Sequence, residues 1–176
     1  MPRKNILALL EGGDRRTIGR ADEVAERVSA DPALFPALIA GLWSTDELVR
    51  MRAADAAEKI TRKHRELLHP YKKELLGLMA ETSQQELRWH LAAIVPRLTL
   101  TARERQSAIS SLTAYLKDRS SIVKTFALQG LADLAAGQPE IRSAVIDILR
   151  DATRNGTPAM KARSRKLLIQ LESLCG

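Results

Sequence analysis

Four stretches of helix length recur along this chain at a nearly constant spacing. When Val49 is placed over Leu87, Val123 and Met160, the copies are 38, 36 and 37 residues apart, and a basic residue follows each anchor. A period of this length is typical of repeats built from a pair of helices. The recurrence therefore predicts an all-α fold in which similar helix pairs pack side by side.

Each copy carries apolar or small residues at offsets 0, 4, 7, 8 and 11 from its anchor. These offsets place the side chains on one face of an α-helix. In the first copy the residues are Val49, Ala53, Ala56, Ala57 and Ile60. The many alanines, and Gly130 in the third copy, predict that neighbouring helix backbones approach closely along this stripe.

The first copy carries a recognisable pattern, Asp46-x-x-Val49-Arg50-x-x-Ala53. It resembles the D-x-x-V-R-x-x-A signature of the HEAT-repeat family of armadillo-like α-solenoids. The later copies have Gln84, Ser120 and Thr157 where the first has Asp46. The resemblance covers residues 17–174, and the whole chain is similar to a small bacterial HEAT-only protein. It implies a right-handed α-solenoid of four to five HEAT-like antiparallel helix pairs, with about ten helices.

We expect a single HEAT-repeat domain over residues 1–176. It consists of an atypical N-terminal capping pair, three HEAT-like pairs and a C-terminal capping helix, over 1–43, 44–82, 83–119, 120–156 and 157–174. Terminal repeats are often atypical because one of their faces meets water. The first short helix is predicted at 3–11, and the next at 17–29 with Ile18 facing inward.

Three S/T-x-x-E patterns predict capping boxes at the starts of helices: Ser44 with Glu47, Ser83 with Glu86, and Thr101 with Glu104. Asp31 followed by Pro32 predicts another helix start. These signals divide the chain into short, closely connected helices with no long linker.

No pattern in the sequence indicates catalysis. The three histidines, His64, His69 and His90, lack the spacing of a metal site, and the sequence contains neither a nucleophile motif nor a glycine-rich phosphate loop. We therefore expect no enzyme activity, no metal, no cofactor and no small-molecule substrate. Asp22, Glu23 and Glu26 lie together on a predicted helix and offer a carboxylate pair for general acid–base catalysis, but they are interpreted as a solvated helix face, which is far commoner.

The single cysteine and the lack of long apolar runs bear on location. Cys175 has no second cysteine with which to form an internal disulfide. No apolar run approaches the roughly 20 residues needed to span a bilayer. We expect a cytoplasmic protein that does not insert into membranes.

One set of polar residues recurs at the repeat anchors. Asp46 and the basic residues after the four anchors, Arg50, Arg88, Lys124 and Lys161, are interpreted as structural. The family resemblance implies that the basic position ties neighbouring repeats together.

The chain carries a net charge of +7, which is compatible with nucleic acid or with an acidic protein partner. A candidate basic binding stripe runs along the second repeat and continues at equivalent positions of later copies. Its residues are Arg52, Lys59, Arg62, Lys63, Arg65, Lys72, Lys73, His90 and Arg163. A second basic cluster lies near the last helix, at Arg154, Lys161, Arg163, Arg165 and Lys166. The alternative interpretation of the stripe is a surface that only aids solubility.

Two functions remain open after these exclusions. The favoured one is a non-catalytic protein-binding module, a scaffold or adaptor that docks a protein partner on a curved surface. The alternative is a nucleic-acid-binding protein that uses the basic stripe. HEAT-like DNA glycosylases resemble this chain at the level of fold, but it lacks a positioned Trp–Asp pair, and Trp89 is expected to pack between repeats.

Overall fold

The computed structural model describes residues 5–175, which form nine α-helices, six short 3-10 helices and no β-strand. The prediction of an all-α fold is confirmed. The α-helices are α1 (Ala21–Ala30), α2 (Phe35–Ala40), α3 (Glu47–Thr61), α4 (Lys72–Glu81), α5 (Gln85–Ile94), α6 (Ala102–Tyr115), α7 (Ser121–Ala136), α8 (Pro139–Asn155) and α9 (Pro158–Glu172). The 3-10 helices are Ile6–Leu10, Pro32–Leu34, Gly41–Trp43, Arg65–Tyr71, Val95–Arg97 and Ser173–Cys175. Residues 3 and 4 of the predicted first helix lie outside the described residues.

The helices group into two compact units, Met1–Tyr71 and Lys72–Gly176. The boundary follows Tyr71 and so falls inside the segment 44–82 that the sequence assigns to one repeat pair. We call the two groups the N-terminal unit and the C-terminal unit. The arrangement of helix pairs as a single solenoid stays a prediction.

The capping predictions have mixed outcomes. Thr101 and Glu104 form the predicted capping box, in which each side chain accepts a hydrogen bond from the other residue's backbone N–H, at 3.3 and 2.8 Å. The box at Ser44 is wrong, because Asp46 is the N-cap of α3 and its carboxylate accepts from the Leu48 N–H at 2.8 Å. The box at Ser83 is also wrong, since α5 follows Gln84 without a side-chain cap.

In the N-terminal unit, α3 is the central helix. It packs against α1, α2 and the 3-10 helix Ile6–Leu10. Its predicted stripe is buried from Val49 to Ile60, with Ala53, Ala56 and Ala57 fully buried. The inward placement of Ile18 is wrong: α1 begins only at Ala21, so Ile18 lies in the preceding loop and is 39% exposed.

In the C-terminal unit, α5, α7 and α9 form a row. Helix α7 contacts both α5 and α9, while α6 and α8 pack on α7, α8 also packs on α9, and α4 contacts α5 and α6. The row consists of the copies anchored at Leu87, Val123 and Met160. Within the row the predicted stripe is largely buried, including Leu91, Ala127 and Leu167.

Helices of this row approach each other closely at Gly130. A Cβ atom added at Gly130 would lie 2.7 Å from the backbone oxygen of Ala92 in α5 and 3.0 Å from a methyl carbon of Leu112 in α6. The predicted close approach at this small residue is therefore confirmed. Gly77 in α4 offers a contrast, because nothing lies within 4 Å of an added Cβ there.

We expect Gly130→Ala to lower the free energy of unfolding by about 1–2 kcal/mol, because a contact with a backbone atom cannot be relieved by a rotamer change. Gly77→Ala is the matched control in an exposed helix interior. It should raise the stability by about 0.5–1 kcal/mol, since alanine restricts the unfolded chain more than glycine does. Urea unfolding followed by circular dichroism measures both changes, and shifts of the same sign would contradict the close approach.

Candidate functional site

Arg52 belongs to the predicted basic stripe, but it is the most deeply buried charged residue described. Its side chain is only 1% exposed and lies under the loop of residues 11–20. The guanidinium donates to four backbone oxygens: Nη1 to Leu10 at 2.8 Å and to Gly12 at 2.5 Å, Nη2 to Asp14 at 3.0 Å, and Nε to Thr17 at 3.4 Å. The prediction that Arg52 is exposed is wrong, because a loop about 40 residues earlier in the chain covers that face of α3.

The loop follows a path that only glycine adopts easily. Gly12, Gly13 and Gly19 have φ angles of 72°, 83° and 54°. A Cβ added at Gly19 would lie 2.9 Å from Cζ of Arg52. The loop thus turns its carbonyl groups toward one guanidinium, whose planar fork has enough N–H donors to bind several of them at once. We call this arrangement the Arg52 cage.

His90 also fails as a stripe residue. Its ring is 9% exposed, and Nδ1 lies 2.7 Å from the backbone oxygen of Glu86, one turn earlier in α5. The ring is close to Trp89, with centroids 5.5 Å apart. Trp89 itself is half-buried, whereas Trp43 is 45% exposed.

Three further stripe cations are paired with carboxylates. Lys59 lies between Asp22 and Asp55, with Nζ–Oδ distances of 2.5 and 2.7 Å. Burial lowers the pKa of Lys59, but the two carboxylates together outweigh that effect and raise it above the ordinary value. Arg62 is paired with Glu58 at 2.6 Å and Lys72 with Glu104 at 2.8 Å.

The remaining stripe residues are exposed. The side chains of Lys63, Arg65 and Lys73 form no ion pair or hydrogen bond with the described part of the chain, residues 5–175. Arg163 on α9 donates to the side-chain oxygen of Gln129 on α7 at 2.7 Å. The structure therefore leaves only part of the predicted stripe available at the surface.

The basic residues after the anchors differ in their contacts. Arg50 and Arg88 each donate to the carbonyl six residues earlier, Ser44 at 2.7 Å and Thr82 at 2.8 Å, which fixes the turn ahead of the helix. Arg88 also donates to Asp118 at 2.6 Å and lies 5.3 Å from the Tyr115 ring centroid. Arg88 thereby joins α5 to the turn before α7.

The turns before α7 and α9 are joined by a second contact. The hydroxyl oxygens of Ser121 and Thr157 lie 2.7 Å apart. Around this contact lies a group of basic residues, which we call the basic turn edge: Lys117, Arg119, Lys124, Arg154 and Lys161. Apart from Lys124, which acts electrostatically on Asp118, these residues form no ion pair or side-chain hydrogen bond with residues 5–175.

Several basic residues elsewhere in the C-terminal unit have partners. Arg142 donates to the carbonyl groups of Ala135, Ala136 and Leu174, at the ends of α7 and of the 3-10 helix after α9. Arg105 pairs with Glu140 at 3.4 Å, and Arg150 pairs with Glu172 at 2.8 Å. Lys73, Arg103, Arg165 and Lys166 of the same unit also form no ion pair or side-chain hydrogen bond with residues 5–175. The basic turn edge differs from them because its residues are grouped around the Ser121–Thr157 contact.

The described residues hold no group of three or more His, Cys, Asp or Glu side chains placed to bind a metal ion. None of the helices described is long and apolar enough to cross a membrane. Asp22 and Glu23, considered as a solvated face, are ion-paired: Asp22 with Lys59, and Glu23 with Arg20 and Arg27 at 2.6 Å each.

Comparison with known proteins identifies no family for this chain. No protein-family model matches the sequence, and no curated protein matches it. Among solved structures, a similar chain is an engineered protein whose crystal structure was a target of the Northeast Structural Genomics Consortium. The two chains are 17% identical with a TM-score of 0.64, and the match covers 96% of this chain and 78% of the other. At this identity the likeness concerns the fold alone.

Removing the guanidinium of the Arg52 cage should release the loop of residues 11–20. We expect Arg52→Met to cost about 3 kcal/mol or more, because several buried carbonyl groups lose a charged donor. Trypsin should then cut at Arg15 and Arg16 faster than in the parent protein. The stability and the cleavage rate of Arg52→Lys should lie between those of the parent protein and those of Arg52→Met, since an ammonium group cannot reproduce the planar fork.

The matched control for the Arg52 variants is Lys63→Met, which removes one positive charge at the surface after the same helix. It should change the stability by less than about 0.5 kcal/mol and leave the trypsin pattern unaltered. Digestion followed by mass spectrometry reads out the cut sites. Equal rates of cleavage in Arg52→Met and the parent protein would show that the loop does not depend on the cage.

The contact between Arg88 and Asp118 should make stability depend on pH. Burial raises the pKa of Asp118, but hydrogen bonds from the Ser120 N–H and from Arg88 outweigh it, so the pKa lies below the ordinary value. The stabilisation is therefore complete above the unfolded-state pKa of about 3.9 and is lost as the pH falls through the lower folded-state value. Asp118→Asn should destabilise the protein at pH 7 and have a much smaller effect at about pH 2.

Urea unfolding at the two pH values measures this difference. Asp147→Asn is the control, because Asp147 is exposed and lies 3.7 Å from Arg150 in a surface pair. Surface pairs of this kind contribute about 0–1 kcal/mol. A cost of Asp118→Asn that stays constant from pH 7 to about pH 2 would contradict the assignment.

Proposed function

We propose that this protein is a HEAT-like helical-repeat module that docks a protein partner and carries out no chemistry of its own. In this proposal it acts as a scaffold or adaptor in the cytoplasm. The repeat pattern around Asp46, Val49, Arg50 and Ala53 supports the family assignment. An exposed, unpaired Cys175 fits a reducing compartment.

The observation that carries the proposal is the contrast within the C-terminal unit. Three contacts fix its row of helices internally. Gly130 lies against the Ala92 backbone, and Arg88 is paired with Asp118. The hydroxyl oxygens of Ser121 and Thr157 form the third contact. The cations of the basic turn edge, in contrast, have little compensation within the described residues. A rigid framework that presents uncompensated charge binds an oppositely charged partner with little ordering cost.

The partial loss of the predicted stripe weakens the nucleic-acid alternative. Arg52 and His90 are buried, and Lys59, Arg62 and Lys72 are already paired with carboxylates. Each phosphate contact requires an available cation. Protein binding is therefore the function that we favour.

Affinity capture tests this function with the intact protein. We expect an extract of the source cells, treated with nuclease and washed at about 150 mM salt, to yield a protein that binds the immobilised chain in a defined stoichiometry. The captured protein is then purified and titrated against this chain by calorimetry. In parallel, fluorescence anisotropy with duplex DNA and single-stranded RNA over a salt series measures the alternative.

Two outcomes would overturn the proposed function. One is nucleic-acid binding that stays tight at about 150 mM salt while no protein is retained after nuclease treatment. The other is retention of no protein and binding of no nucleic acid.

A further inference from the structure

We propose that the basic turn edge is the docking surface for an acidic segment of the partner protein. This inference rests on the proposed function as a protein-binding module. It names the face that binds and the chemistry of the bound segment. The main surface indicated by the sequence was a different one, the predicted basic stripe, although the second basic cluster of the sequence analysis includes Arg154 and Lys161 of the edge.

The first step is that the sequence positions of the five cations lie close to one contact between neighbouring helix starts. Ser121 and Thr157 fix the starts of α7 and α9 side by side through the 2.7 Å contact between their hydroxyl oxygens. Each cation is within four residues of one member of this pair. Lys117 and Arg119 precede Ser121 and Lys124 follows it, while Arg154 precedes Thr157 and Lys161 follows it.

The second step is that the chain itself leaves these cations available. Lys117, Arg119 and Arg154 are exposed, and Lys124 and Lys161 are half-buried. Two carboxylates nearby in the sequence have other partners. Asp118 accepts from Arg88 and from the Ser120 N–H, and Asp151 accepts from the Asn155 side chain at 2.7 Å.

The third step is that the edge is fixed in position. Arg88 holds Asp118 at 2.6 Å, which fixes the turn that carries Lys117 and Arg119. Gly156 closes the turn between α8 and α9, where an added Cβ would lie 2.5 Å from the backbone oxygen of Ala152. A partner therefore meets cations on a preorganised backbone, and only the side-chain ends need to become ordered.

The pattern of charge favours a polypeptide over a phosphate backbone. Asp118 lies between Lys117 and Arg119, and Asp151 lies three residues before Arg154. A phosphate backbone carries negative charge at every nucleotide and would place some of it near these carboxylates. A peptide can place neutral residues there and carboxylates opposite the cations. Tyr115, two residues before Lys117, is buried and cannot stack on an exposed base, and Phe126, two residues after Lys124, is half-buried.

The size of the edge sets the length of the segment. Packed helices lie about 8–10 Å apart, so the starts of α7 and α9, around which the edge is built, are separated by about that distance. An extended chain covers about 3.3–3.6 Å per residue. About three residues therefore span the two helix starts. A segment of about six residues with alternating carboxylates extends past both helix starts and brings about three carboxylates to the surface.

The experiment uses the full-length chain and two probes at about 150 mM salt. The first probe is a fluorescein-labelled peptide of twelve residues that alternates glutamate and serine, and the second is a twelve-base-pair DNA duplex. Anisotropy measures affinity, and ¹⁵N–¹H correlation spectra of the labelled protein map the bound surface. We expect the peptide to shift amide signals mainly in segments 117–124 and 154–161.

Matched variants separate the edge from net charge. The edge variant is Lys117→Ala, Arg119→Ala, Arg154→Ala, and the control variant is Lys63→Ala, Arg65→Ala, Lys73→Ala. All six side chains are exposed, and none has an ion pair or hydrogen bond within the described residues. Each variant lowers the net charge by three. Because an exposed ion pair contributes only modestly, we expect the edge variant to bind the peptide about tenfold more weakly and the control variant to change binding by less than about threefold.

Three results would overturn the proposal. They are no peptide-induced shifts in segments 117–124 and 154–161 of the parent protein, equal weakening in both variants, and tighter edge-dependent binding of the duplex than of the peptide. The third result would assign the edge to a phosphate backbone. Because the spectra are recorded on the parent protein, the first of these results does not depend on the stability of the variants.

The proposed function is tested separately, with the partner protein captured from extract. If the edge variant captures that partner as well as the parent protein does, the edge is wrong while the binding function stands. If neither the parent protein nor the control variant captures a protein, the binding function itself fails. If the edge variant fails to capture the partner while the parent protein and the control variant capture it, the result supports both the binding function and the edge.

Discussion

Small residues where helices meet are the constraint on which both units depend. At Gly130 the backbone oxygen of Ala92 occupies the space that a side chain would need, and at Gly41 the methyl groups of Leu7 and Ala53 do the same. Because the helices are this close, their ends have little freedom to shift. Contacts such as Ser121 with Thr157 then place specific side chains of neighbouring turns next to each other. The surface cations near these turns are thus held in position because the helices that carry them meet at glycines, where no side chain separates the backbones.

Helix positions and buried faces could be predicted well from the sequence because they depend on local patterns. The 36- to 38-residue spacing located α3, α5, α7 and α9, and the apolar offsets identified residues such as Val123 and Leu131 that are buried. The capping box at Thr101 was correct for the same reason, since its partners lie three residues apart. Ser44 has the same pattern, but Asp46 is nearer to the helix and takes the cap.

The candidate site could not be predicted in the same way, because ion pairing depends on residues distant in sequence. Lys59 is paired with Asp22, 37 residues earlier. Residues 1–71 contain 12 Lys and Arg against 11 Asp and Glu, whereas residues 72–176 contain 16 against 10. The excess charge is therefore in the C-terminal unit, although the densest basic run of the sequence begins in the other one.

Arg52 shows the same limit, since periodicity places it on a helix face but does not reveal which loop covers that face. Three glycines within residues 12–19 were the one available signal of an unusual loop.

The Arg52 cage has a consequence for how this protein can change over evolutionary time. Its guanidinium binds the carbonyl groups of the loop and none of its side chains. The cage therefore constrains the path of the chain, which favours glycine at positions 12, 13 and 19, and leaves the chemistry of the exposed side chains between 13 and 19 open. Arg16 and Ile18 can be replaced without loss of any bond to Arg52. The loop is thus a place where the surface of the N-terminal unit can acquire new side chains while its backbone stays anchored to α3.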